Sequence, residues 1–158
     1  MSGHLVQALI AHFDSVFIGP NGDYSAVLED ASSLSVSQAL WKPSHSQNSI
    51  WQIVEHLIAS KEWLIEMLEH GQANSPIWTT PSGDDAAWQA SLEKLKDAHT
   101  RLKQVLAKLE DDALLKFPIP EDKHTLLEII LSSGAAHEAH HSGQIDYLKG
   151  LQSVSNGQ

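Results

Sequence analysis

The 158-residue chain contains no cysteine, which excludes disulfides, thiolate metal ligands and a cysteine nucleophile. Basic side chains are scarce: ten Lys and Arg stand against twenty Asp and Glu, a formal net charge of −10. That excess repels phosphate backbones and anionic lipid, and no basic patch offsets it, so neither nucleic acid nor membrane is expected as a partner. No apolar run reaches the roughly 18 residues of a membrane span. The opening MSGHLVQALIAHFDSVFIG has no positive leading segment and carries Asp14 within its apolar pattern. The expectation is a soluble, cytoplasmic protein. Strand signals are missing as well, since no stretch alternates apolar and polar residues for long. Repeats, charge blocks and low-complexity runs are absent too.

What remains is helical pattern and histidine. The length suits a single domain over residues 1–158, because one core of this size buries roughly 70% of the surface its unfolded chain exposes. Turn-forming clusters fall at GPNG (19–22), KPSHSQNS (42–49), GQANSP (71–76), TTPSGDD (79–85) and FPIPED (117–122). The spacing predicts a first helix over about 3–17, ending at Gly19-Pro20. Residues 23–41 form a long connection in which SSLSVSQALW suits a short helix. A second long helix starts at Ser49, where SIWQ reads as a capping box, and ends at Gly71. The third carries Trp88, Leu92, Leu95, His99, Leu102, Leu106 and Leu109 at steps of four and three. The fourth opens at the capping box Thr125-Leu-Leu-Glu128 and runs to about Lys149, before Gly150. Four amphipathic helices in one short chain hide their apolar stripes as an all-α four-helix bundle.

The ten histidines equal Lys and Arg together, so their directions matter. At about 100° per residue, His56 shares an arc with Ile53, Leu57, Ser60, Trp63, Leu64 and Met67, while Glu55, Glu62, Glu66 and Glu69 collect opposite. Lys61 fits this wheel poorly and is expected to reach solvent on its long stem. On the fourth helix, Leu126, Ile130, Gly134, His137, His141, Gln144 and Leu148 form one stripe, with His140 on its shoulder. His137 and His141, four apart, can converge on one ion. Two imidazoles on an apolar face need buried partners or a metal that takes both lone pairs. His99 reads as a core residue donating one hydrogen bond, and His4, His12, His45, His70 and His124 read as surface.

His137-Glu-Ala-His-His141 also matches H-E-x-x-H literally, with Glu138 as the base that would activate water in a protease. The extended forms fail: Gln144 and Tyr147 replace the required Gly and His, and no glutamate follows Glu138. A third ligand is better sought upstream, at the inward, mid-helix His56. Taken together, NSIWQIVEHLIASKEWL and, some eighty residues later, AAHEAHHSGQIDYLKGL resemble the DinB/YfiT-like superfamily. That resemblance implies a four-helix bundle with metal ligands at His56, His137 and His141, and it matches the family's Gly-Gln at Gly143 and Gln144. His140 stands where members often carry a bulkier residue.

Three neutral imidazoles leave an open position for water or substrate, so a bound ion could generate hydroxide or hold a thiolate near neutral pH. The resemblance implies the second use, since some relatives are similar to thiol transferases that couple bacillithiol or mycothiol to electrophiles. The expected activity is therefore a metal-dependent transfer or hydrolysis on a small-molecule substrate, with a low-molecular-weight thiol as cosubstrate. Expected ions are divalent transition metals, zinc or nickel ahead of iron, manganese or copper. The alternative is a bundle that binds metal or a protein partner without catalysis. Gln144, His140, Glu138 and Glu55 are the candidates to orient the ligands, Gln144 being preferred because it shares their stripe. Metal affinity is expected to fall as pH drops through the imidazole range near about 6.5. The family analogy implies a homodimer, with Trp41, Trp51 and Trp78 as candidate partner-facing residues.

Overall fold

The capping boxes read at Ser49 and Thr125 both form in the computed structural model, which describes residues 3–19, 26–44, 47–118 and 123–155. Ser49 accepts from the Gln52 amide at 3.2 Å and its own amide donates to the Gln52 side chain at 3.1 Å, so two orphan donors are satisfied at once. The elements are α1 (His4–Phe17), α2 (Val27–Ser32), α3 (Val36–Leu40), α4 (Ile50–His70), α5 (Asp85–Leu106), α6 (Asp111–Leu114), α7 (Leu126–Ile130), a π-helical turn (Leu131–Ala136) and α8 (His137–Ser155). Every regular element among the described residues is helical. α7, the π turn and α8 run on as one rod, so four long helices form the expected all-α bundle. The connection between the first two long helices carries both α2 and α3, the latter opened by a third capping box at Ser35.

Local chemistry sets the ends. Gly71 stops α4 in the left-handed conformation, at φ 72°, where a side chain would be strained. The first helix lacks a capping side chain at Gly3, and Asp111 of α6 supplies one from afar, accepting from the amides of Leu5 and Val6 at 3.1 and 3.0 Å. This short α6 was not anticipated. Two boundaries differ from expectation. α5 ends at Leu106, leaving Leu109 beyond it, and α8 passes through Gly150 to Ser155. Gly150 does not adopt a positive φ, and beyond it buried Gln152 donates to the Gln38 carbonyl at 2.8 Å, anchoring the extra turn against α3.

The apolar interior falls into two clusters. One gathers Phe17, Trp51, Leu57, Trp88, Leu92, Leu95, Ile145 and their neighbours; the other gathers Val6, Leu9, Phe13, Leu64, Leu102, Leu106 and Ile130. Between them lies a polar layer to which each long helix contributes: Asp14, Lys61, His99 and Glu138. Lys61 therefore does not reach solvent as the helical wheel suggested. It is 5% exposed, with its ammonium 2.7 Å from Glu138 and 3.3 Å from Nδ1 of His99. The wheel treats one helix alone, whereas a buried cation is set by partners on others. No helix among the described residues is long and apolar enough to cross a membrane.

Candidate metal centre

His56 sits in the middle of α4, and His137 and His141 occupy the first turns of α8. The π turn just before His137 matters for their aim. Its wider winding advances fewer degrees per residue than an α-helix, so the side chains after it are offset from the α-helical register, and such turns recur at functional sites. At its centre Gly134 lies against Phe13, where an added Cβ would stand 2.4 Å from the ring carbon Cζ. Glycine lets the rod approach α1 this closely.

The three histidines meet. Nε2 of His137 lies 3.0 Å from Nε2 of His56 and 3.0 Å from Nε2 of His141. All three candidate ligand atoms fall within 4.8 Å of one another, the one such group among the described residues. Nitrogens each about 2.0–2.1 Å from one ion stand about 3.0–3.4 Å apart, a spacing that the His56–His137 and His137–His141 pairs have, with the third pair within 4.8 Å. The donor set fits as well. Oε1 of Gln144 lies 2.7 Å from Nδ1 of His141 and can only accept, so Nδ1 carries the proton and Nε2 presents its lone pair to the centre. Nδ1 of His56 is buried without a hydrogen-bond partner.

Electrostatics keep these rings neutral. Burial, then the neighbouring His56, His140 and Lys61, pushes His137 down to about 4. Burial also takes His141 to about 4, against the opposing bond to Gln144. His56 is lowered by burial. Desolvation of the imidazolium thus places protonation of His137 and His141 below the ordinary imidazole range and shifts His56 in the same direction.

The candidate orienting residues divide. Gln144 takes that part for His141, and its amide nitrogen lies 3.0 Å from Nε2 of exposed His140, which stays outside the three-nitrogen group. Glu55 is engaged elsewhere, accepting from Trp51 Nε1 and from the Ser91 hydroxyl. Glu138 points into the core, 2% exposed and paired with Lys61, so it lacks the access that the protease reading requires of a base. His99 is a buried core residue as expected, but with two polar contacts rather than one bond: Nε2 lies 2.9 Å from Asp14, and Nδ1 faces Lys61. Burial and the Lys61 charge lower it to about 4, against Asp14. His4, His12, His70 and His124 are exposed, and His45 lies outside the described residues.

Trp78, a candidate for a partner surface, rests its ring on His56 with centroids 4.3 Å apart. It is 43% exposed and lines a groove with Trp63, Ile58, Ile77, Glu62 and Glu66. No periodicity could reveal this, because Trp78 lies in irregular chain between α4 and α5. Trp51 is buried and donates to Ser91 at 2.9 Å, so it cannot face a partner; Trp41 is half-buried against the core. A second hollow beside the centre is lined by Gln47, Asn48, Ile53, Gln144, Tyr147 and Leu148. No curated protein and no solved structure matches the chain. The sequence model of the DinB superfamily matches residues 23–145, well over half of the chain, and with the helical bundle described above it establishes that the protein belongs to that superfamily.

Proposed function

We propose that the protein is a metal-dependent enzyme acting on a small molecule, with His56, His137 and His141 as ligands of one divalent transition ion. The observation that carries this reading is the convergence of three Nε2 atoms, two pairs of them 3.0 Å apart. When bound, an ion there supplies Lewis acidity and positive charge that favour an anionic nucleophile near neutral pH. The chain's own residues do the rest. Gln144 holds the His141 tautomer, Trp78 shields one side of His56, and the groove and hollow on either flank offer room for a substrate. Glu138 is withheld from the reacting side by Lys61.

The finer reading is transfer of a low-molecular-weight thiol to an electrophile, for which the absence of cysteine leaves the thiol to be brought by a cosubstrate. Elemental analysis of untagged protein should give one zinc- or nickel-type ion per chain. His56→Ala and His141→Ala should each abolish stoichiometric uptake; unchanged metal content in both would remove the site. Metal-loaded protein should then consume thiol in the presence of an electrophile. Stoichiometric metal without turnover across a panel of thiols and electrophiles would instead leave a non-catalytic metal-binding bundle.

A further inference from the structure

We infer that Glu138 positions His137 through one water molecule held in a cavity between them, with Lys61 fixing the carboxylate. The inference rests on the metal-centre reading but concerns the side of His137 turned away from it. His137 directs Nε2 to the other imidazoles, and among the described residues no acceptor pairs with its Nδ1. A ligating histidine gains orientation and basicity when that second nitrogen donates to a carboxylate, a carbonyl or water.

The ring lines a small hollow of about 10 Å³ whose polar side is formed with Ser60, Lys61, Ser133 and Glu138 and whose opposite wall, from Phe13 to Leu102, is apolar. That volume is about one water-sized probe, and a water settles only where it finds two to four polar partners. Glu138 supplies the strongest demand. Its carboxylate is 2% exposed; the Lys61 ammonium lies 2.7 Å from Oε1, and no other donor among the described residues reaches either oxygen. A carboxylate has about four acceptor sites, and leaving the rest unmet in the interior is costly. A water donating to Glu138 and accepting from Nδ1–H of His137 answers both needs. Ser60 can assist, since its hydroxyl proton is already given to the His56 carbonyl at 2.8 Å and its oxygen remains an acceptor. Glu138 thus takes no part in reaction with substrate; it is a positioning residue, and the pair of serines and the π turn shape its water.

Three measurements decide this. In a high-resolution crystal structure, an ordered water should bridge Glu138 and Nδ1 of His137; a dry cavity overturns the inference. Ring-nitrogen NMR of the metal-free wild type should find the His137 proton on Nδ1, and a proton on Nε2 overturns it. Glu138→Gln, checked for helicity by circular dichroism, should weaken zinc binding in chelator competition by about ten- to a hundredfold. Affinity within about twofold of wild type overturns the inference while leaving the metal centre intact. Wild-type protein that takes up no zinc removes the reading of the centre instead, and the first two measurements, which need no variant and no metal, still decide the inference.

Discussion

At the scale of single residues, the cluster of three histidines was legible because each sits on an apolar arc of a helix whose limits were marked by capping residues. Gln144 was legible for the same reason, one turn beyond His141. Lys61 and Glu138 were not. A wheel assigns a charged residue to solvent by default, and what buries these two is mutual: Nζ and Oε1 are 2.7 Å apart, on two different helices. Removing one partner strands the other. Lys61→Met should therefore destabilise the fold by about 3–5 kcal/mol, measured by denaturant unfolding, whereas Lys61→Met combined with Glu138→Leu should recover most of that loss. A double variant as unstable as the single one would show that the pair is not the cause.

At the scale of elements, propensity and capping fixed the starts well and the interiors poorly. Ser49, Thr125 and Gly71 act where they were read. The π turn had no signature in the periodicity, because a wheel advances by a constant angle and so misses a local change in winding. This explains why the buried face of α8 runs through Glu138, Ser142, Ile145 and Leu148 while His137 and His141 stand half-exposed beside it. The turn also sets a steric limit at Gly134. Phe13 is fully buried and its ring blocks the place of an added Cβ, so Gly134→Ala should cost about 1–3 kcal/mol by overpacking and should tilt α8 enough to weaken metal uptake. Gly143→Ala is the control, since an added Cβ there meets nothing within 4 Å and mid-helix alanine is favoured.

For the molecule as a whole, the all-α bundle followed from four apolar stripes, while the level at which polar groups cut across it did not. Desolvated histidines make that layer and the three-histidine cluster sensitive to acid. His99, His137 and His141 are each lowered to about 4 in the folded state, so between pH 6.5 and 4 the unfolded chain binds more protons than the folded one. Their contribution to stability is whole above about pH 6.5 and is lost as pH falls towards 4. The urea midpoint of metal-free protein should accordingly drop between pH 7 and pH 4.5, and metal uptake should persist below pH 6.5 and fail as pH nears 4; a midpoint flat over that range would contradict the neutral burial of these rings. Chelation near pH 7 should leave most helicity, because the two apolar clusters do not depend on the ion. The polar layer between those clusters has one more consequence. Two oily compartments joined by a seam of charge need not open together. Amide hydrogen exchange should sort the slow protons of α4 and α5 into two groups with distinct opening energies, parted near Lys61 and His99, and replacing the seam by Met and Leu should merge them into one cooperative unit.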